Sequence, residues 1–515
     1  MATGTLNSNA TVPAHYAELC RQARRAATLG SIGSLVSWDQ ETYMPPAAGE
    51  FRAEQLAELA ELAHKAATDP RRGELIAACE GDAGLMGDPT SEAARNVREF
   101  RRDYTLATKL PTDLVSEMAR TCSQAQEVWK EARAKSDFAM FRPLLEKIFG
   151  LARRKAECYG WPKNGEPYDA LLDEYEPGAT SAEVHAVFVP LRERLSALIA
   201  RVSGKPRPSD AVLHIKAPAD RQHALGLDVL RAMGFDLEAG RLDTTTHPFC
   251  SGMAPGDTRL TTRYRDEKFT DALYGTMHEA GHGLYEQGLP KRERFGQPLG
   301  DAVSLGIHES QSRLWENFVG RSPAFWRWAW PLARKHFGAA LDGFGEAEIV
   351  KAVNLVTPSY IRVEADEATY NLHIMLRFEL ERAMLRGDLK IADLAGEWRT
   401  RFKQYLGIEV PDDRRGCLQD VHWSAGLIGY FPTYTLGNLY AAQLWETISR
   451  QMATIEADIS AGKFIPLRDW LRSAIHVHGR RYQAAELCHR ATGAALSADP
   501  LMRHLEGRAA MVYGL

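Results

Sequence analysis

Residues 50–67, EFRAEQLAELAELAHKAA, consist largely of strong helix formers, with apolar side chains returning every three or four positions. The same period fills 89–135, 180–202, 345–354, 359–386 and 437–460, which predicts a nearly all-α protein. Only two stretches read as strands: AVLHIKA at 211–217 and TRLTTRY at 258–264, the second alternating and β-branched. They predict one small sheet just ahead of the helix around 269–288. The Pro/Gly loops at 204–210 and 287–301 are of moderate length, and there is no low-complexity tract or internal repeat. The expectation is therefore one domain over 1–515, with a helical N-terminal lobe of about 1–205 facing the rest across a deep groove.

With 515 residues, 45% of them apolar and 25% charged, the chain has ample material for a core. Its net charge of −4 and its lack of a basic block with interleaved aromatics exclude a nucleic-acid partner. The opening MATGTLNSNATVPAHY lacks a basic region followed by an apolar one, and nowhere do 18 apolar residues run together. No membrane association is expected, and the location expected is the cytoplasm. Seven scattered cysteines, none spaced C-x-x-C, fit reduced residues of the core rather than disulfides or a thiolate metal site.

The chemistry concentrates in GTMHEAGHGLYEQG, residues 275–288. Phe269, Leu273, Met277, Ala280 and Leu284 mark a helix that Gly288 and Pro290 end. On that helix His278 and His282, four apart, lie about 40° from one another and can aim two ring nitrogens at one ion. Glu279, about 100° from His278, cannot easily join the same shell but can reach a water at the ion's open position. H-E-x-x-H is the zinc hydrolase arrangement.

A third ligand has to come from downstream, where Glu286, Glu293, Glu309 and Glu316 are available. Glu286 is about 12 Å along the helix from His278, which strains convergence, and Glu293 lies in a polar loop. Glu309 sits in a second helix, SLGIHESQSRLWENFVG, which can fold back on the first, and its polar neighbours His308, Ser310 and Gln311 need partners if buried. It is the best geometric choice. The two His of AIHVHGRRY (474–482), spaced by two, would face opposite sides of a helix, and the three Trp of PAFWRWAWPLARKHF (323–337) read as a buried helix rather than a ligand cage.

Several stretches together resemble the carboxypeptidase Taq family of metallocarboxypeptidases. The H-P-F triplet is His247 to Phe249, and D-x-R-x-T falls on Asp257, Arg259 and Thr261. H-E-x-x-H is at 278–282, H-E-S-Q at 308–311, I-R-x-x-A-D at Ile361 to Asp366 and G-x-x-Q-D-x-H-W at Gly416 to Trp423. All six follow the family's order, and SWDQETYMPP and DEYEPG resemble it as well. The resemblance implies a helical zinc-peptidase fold with two lobes around a groove and a homodimer. It also implies one Zn2+ per chain, replaceable by Co2+ or Mn2+, on His278, His282 and Glu309, with Glu279 as the catalytic carboxylate.

In the wider clan of helical zinc peptidases a downstream His and Tyr stabilise the oxyanion, and His422 with Tyr434 resembles that pair, with Tyr430 competing. An exopeptidase that removes single C-terminal residues must also grip a terminal carboxylate, for which an Arg fork is best suited. Arg362, near the start of a long helix and four residues before Asp366, is the first choice and Arg259 the second, with Arg414 and Arg415 weaker. His247 and Asp420, from the matched motifs, complete the expected substrate-binding set. The competing functions are an endopeptidase with the same chemistry and a scaffold stapled by a structural metal. The scaffold is disfavoured, since such sites fill four positions with protein ligands.

Overall fold

The computed structural model describes residues 12–515, so the reading of the first eleven residues lies outside it. Helices account for most of the described chain, and one three-stranded sheet interrupts them. α1 (Ala14–Thr42) and α2 (Gly49–Ala67) pack along one another, and no residue of α2 is buried. A continuous core draws residues from Ala125 to Ala509, while a smaller cluster under α1 gathers Leu19, Leu75, Ile76 and Phe100. No helix among the described residues is long and apolar enough to cross a membrane.

Three of the expected helices break at definable points. The 89–135 pattern divides into Glu92–Lys109 and Thr112–Lys135, because Pro111 holds Leu110 extended at φ −84° and ψ 124°. The 437–460 pattern is Pro432–Gln451 followed by Ile455–Ser460. The 359–386 pattern becomes helical only at Glu367, since the Asp366 side chain accepts from the backbone N–H groups of Ala368 and Thr369 and caps the helix there. Arg362 to Glu364 form a separate 3-10 turn.

β1 (Gly240–Thr244) pairs in parallel with β3 (Asp257–Thr262), and β2 (Cys250–Ala254) pairs antiparallel on β3's other side. The alternation at 258–264 is thus β3. The other expected strand, 211–217, is a 3-10 turn at Ala211–Leu213 followed by irregular chain. Its apolar residues Val212, Leu213, Ile215 and Ala217 pack into the core without a partner strand, and Pro218 then opens a helix.

The helix carrying H-E-x-x-H spans Phe269–Gly288, as expected, and, after the short helical turns Lys291–Arg294 and Pro298–Gly300, a second helix spans Leu305–Arg313 before widening into a π-helical turn at Leu314–Val319. Two glycines set how closely the second helix is held. A Cβ on Gly281 would lie 2.5 Å from the Gln311 carbonyl oxygen, and one on Gly437, in Pro432–Gln451, would lie 2.6 Å from Cγ of Glu309. Helix 305–313 is therefore clasped at backbone distance from both sides, which fixes Glu309 against the two histidines.

Candidate active site

His278, His282 and Glu309 converge, each offering one donor atom within 4.8 Å of the others. Glu309 Oε2 is 3.6 Å from His278 Nε2 and 3.3 Å from His282 Nε2. Donors about 2.0–2.2 Å from a tetrahedral ion are separated by roughly 3.3–3.6 Å, so the spacing fits a divalent ion held by two nitrogens and one oxygen. The remaining nitrogens are taken: His278 Nδ1 meets Glu316 Oε2 at 2.9 Å and His282 Nδ1 meets His308 Nδ1 at 2.6 Å. Each imidazole is thereby turned with Nε2 toward Glu309.

The carboxylates weighed as alternative third ligands take other positions. Glu316 orients His278 and is held by Arg321 at 2.9 Å. Glu286 accepts from His308 Nε2 at 2.8 Å and pairs with Lys291. Glu293 lies in the one-turn helix Lys291–Arg294 and is not part of the converging group. Arg313, one helical turn beyond Glu309, binds Glu309 Oε1 at 2.7 Å, leaving Oε2 to face the histidines. The i+4 spacing of Glu309 and Arg313 is the signal that sequence reading passed over.

Burial and charge act against each other here. Burial lowers the His282 pKa to about 4, whereas for His278 the nearby Glu309 and Glu316 outweigh burial and raise it. Burial alone would raise Glu309, but Arg313 and the two imidazoles hold it well below the ordinary range. Glu279, 7% exposed, is pushed up to about 7 by burial, and its carboxyl makes no side-chain hydrogen bond among the described residues. It is left free to exchange a proton with a water.

A second cluster surrounds Arg362. Its Nε and Nη2 meet Asp420 Oδ1 at 2.9 and 2.8 Å, and Nη1 donates to the Tyr370 hydroxyl at 2.9 Å. The Tyr434 ring lies 5.1 Å from the guanidinium, and the Tyr434 hydroxyl lies 3.2 Å from His422 Nε2. Arg362, Asp420, His422 and Tyr434 therefore come together, as do the three candidate metal ligands His278, His282 and Glu309. Asp366 does not hold Arg362: capping the helix occupies its Oδ1, and its Oδ2 accepts from Thr357 N and the Thr369 hydroxyl. Asp420, 58 residues downstream of Arg362, takes that place.

A family model described as carboxypeptidase Taq (M32) metallopeptidase matches residues 18–509. The chain belongs to this family. It is 47% identical to thermostable carboxypeptidase 1 of Thermus thermophilus, over 98% of the chain and 100% of that protein. It is 36% identical to carboxypeptidase 1 of Bacillus subtilis, over 95% and 97%. Among solved structures it superposes on an M32 carboxypeptidase from Deinococcus radiodurans with a TM-score of 0.94, at 42% identity, covering 98% of this chain and 100% of that one. These relatives are carboxypeptidases by name, and the chain is a metallocarboxypeptidase rather than an endopeptidase or a scaffold.

In this carboxypeptidase the other expected residues are dispersed. Arg259 pairs with Asp257 at 2.8 Å and lies 4.3 Å over the Trp38 ring, tying the sheet to α1. His247 is exposed between β1 and β2, with no side-chain partner among the described residues. His476 and His478 fall in an irregular 3-10 segment rather than a helix, and His476 is buried with Nε2 at 2.9 Å from Gln311 Oε1. Trp326 and Trp330 are buried in helix Pro323–Phe337, as expected. All seven cysteines are unpaired, with Cys79, Cys417 and Cys488 buried and the other four half-buried.

Proposed function

We propose that this metallocarboxypeptidase binds one divalent ion, Zn2+ with Co2+ or Mn2+ as possible replacements, on His278, His282 and Glu309. The convergence of two Nε2 atoms and one carboxylate oxygen at tetrahedral edge lengths carries this reading. A bound ion of this kind supplies Lewis acidity for the scissile carbonyl and acidifies the attacking water. Glu279 takes a proton from that water as its oxygen attacks the carbonyl carbon, and returns it to the amine as the C–N bond breaks. Its position on the helix, one residue past His278 and free of other side-chain partners, supports the role.

Tyr434 donates its hydroxyl to the charge that develops on the carbonyl oxygen. Its pKa is raised well above the ordinary value, chiefly by burial, so the proton is present at any working pH. His422, lowered to about 4 by burial, is neutral and supports Tyr434 from behind. Arg362 receives the terminal carboxylate of the peptide. Arg259 is the second candidate for that carboxylate, and His247 is kept with it in the proposed substrate-binding set.

The whole chain is proposed to act as one domain, with a helical N-terminal lobe of about 1–205 and the site within 245–435. A cytoplasmic homodimer completes the proposal, supported by the unpaired cysteines and by the family resemblance. A peptide ladder followed by mass spectrometry, with and without a chelator, tests the activity. Single residues should leave the C-terminus only when metal is present, and amidating that terminus should nearly abolish cleavage. Efficient internal cutting of amidated peptides would defeat the assignment of Arg362 while leaving the metal site intact.

A further inference from the structure

Behind Arg362 lies a second arginine that neither the motifs nor the mechanism uses. Arg377 is 0% exposed, and its guanidinium sits 4.7 Å from the Trp398 ring and 5.4 Å from the Phe431 ring. Its Nη1 donates to the His373 carbonyl at 2.6 Å. Its Nε and Nη2 both turn to Asp420 Oδ2, at 2.7 and 2.5 Å. Asp420 is therefore shared, with one oxygen for each arginine.

An unshared carboxylate engages an arginine fork to fork, through both oxygens, and cancels its charge. With Oδ2 claimed by Arg377, Asp420 meets Arg362 through Oδ1 alone. Two guanidiniums then stand against one carboxylate, a formal excess of one positive charge. Glu381, one helical turn beyond Arg377, does not remove it: burial raises its pKa to about 7, and its oxygens accept from the Tyr168 hydroxyl, Trp423 Nε1 and Gly429 N rather than from either arginine. Burial holds His373 well below its ordinary pKa and His422 at about 4, so both are uncharged. Asp366 is committed to its helix N-terminus, and Glu309 to Arg313 and the imidazoles. A buried unpaired charge is costly and favours a partner of opposite sign, here a single carboxylate arriving with the substrate.

We propose that Arg377 is a positioning residue for the carboxylate subsite: it occupies one oxygen of Asp420 and so leaves Arg362 only partly paired and available to the peptide's C-terminus. The inference rests on the reading of Arg362 given above.

The test compares leucine with leucinamide as competitive inhibitors of the metal-loaded enzyme, alongside KM and kcat on a peptide with a free C-terminus. The parent should prefer leucine. Arg377→Met should weaken leucine at least about tenfold and raise KM by a similar factor, with leucinamide inhibition and kcat changed much less. Arg377→Lys, which keeps the charge, should stay within about threefold of the parent. The double variant Arg377→Met/Asp420→Asn restores one net positive charge and should regain at least about threefold of the leucine binding lost, which a purely structural role for Arg377 would not produce. Arg377→Gln gives the same comparison with a smaller packing change should the Met variant not fold. Unchanged leucine preference in the charge-removing variants, or a double variant no better than the single one, would overturn the proposal. Arg362→Ala separates the two layers: if it keeps the preference, the reading of Arg362 itself fails, whereas if it loses the preference and the Arg377 variants do not, only the role of Arg377 fails.

Discussion

His282 Nδ1 lies 2.6 Å from His308 Nδ1, so one of the two nitrogens, and not both, carries the hydrogen between them. When His282 commits its Nε2 lone pair to an ion, its proton sits on Nδ1 and is donated to His308. His308 then carries its own hydrogen on Nε2, donated to Glu286 Oε1 at 2.8 Å, and Lys291 holds that carboxylate in its ionised state. Removing the middle of this chain with His308→Leu should weaken metal binding roughly 10–100-fold, read by chelator competition. An unchanged dissociation constant would show that His282 needs no orienting partner.

Glu279→Gln should keep metal and lose turnover. The amide is nearly isosteric but cannot take a proton, and loss of a general base costs roughly 10²–10⁴-fold. Metal content and kcat measured on the same preparation check this. Near-normal turnover with a full complement of metal would remove Glu279 from the mechanism.

The metal half of the site was legible because its information is local. His278, Glu279 and His282 need only helix geometry, and the polar run around Glu309 announces a buried segment that requires partners. The carboxylate half was less legible because its contacts are long-range. Arg362 and Asp420 are 58 residues apart, and Arg362 and Asp366 are neighbours only if the helix begins early. Asp366 itself prevents that by capping at Glu367, a competition between a capping side chain and a helix-surface pair that periodicity does not resolve. Arg377 could not be distinguished from any other helical arginine, since its burial depends on Trp398 and Phe431 arriving from two other segments. The strand expected at 211–217 failed for a related reason: apolar residues bury equally well in irregular chain when no neighbouring strand is present to pair with them.

Glu176, within the DEYEPG stretch, supplies a pH-dependent contribution to stability. It is fully enclosed, accepts from Gly306 N at 2.9 Å and from the Tyr440 hydroxyl at 3.2 Å, and burial raises its pKa from 4.5 to about 7. Because the folded state holds the proton more tightly than the unfolded one, the contribution is complete below about pH 4.5 and is lost as pH rises through about 7. Glu176→Gln mimics the protonated form, so its stability relative to the parent should climb between those two pH values and then level. A carboxyl whose ionisation is displaced by one pH unit on folding contributes about 1.4 kcal/mol, which is within reach of denaturant melts. Melts at pH 4, 6 and 8 would show the climb, and a constant difference across all three would refute it.

Tyr434 and His422 act in series, and that order can be measured. The Tyr434 hydroxyl is the only one of the two groups proposed to touch the reacting oxygen, while His422 Nε2 lies 3.2 Å behind it and His422 Nδ1 has no partner among the described residues. An imidazole with an unpartnered Nδ1 places its single hydrogen on Nε2, donates it to the tyrosine oxygen and so frees the tyrosine proton for the substrate. Tyr434→Phe should therefore lower kcat by about 10²–10³-fold, the usual cost of one oxyanion donor, with KM nearly unchanged. His422→Ala should cost less by itself. In the Tyr434→Phe background its remaining effect on kcat should largely vanish, because the group through which it works is gone. Independent, multiplying losses in the double variant would mean that His422 contacts the substrate directly, and an effect of Tyr434→Phe confined to KM would move Tyr434 from the transition state to substrate binding.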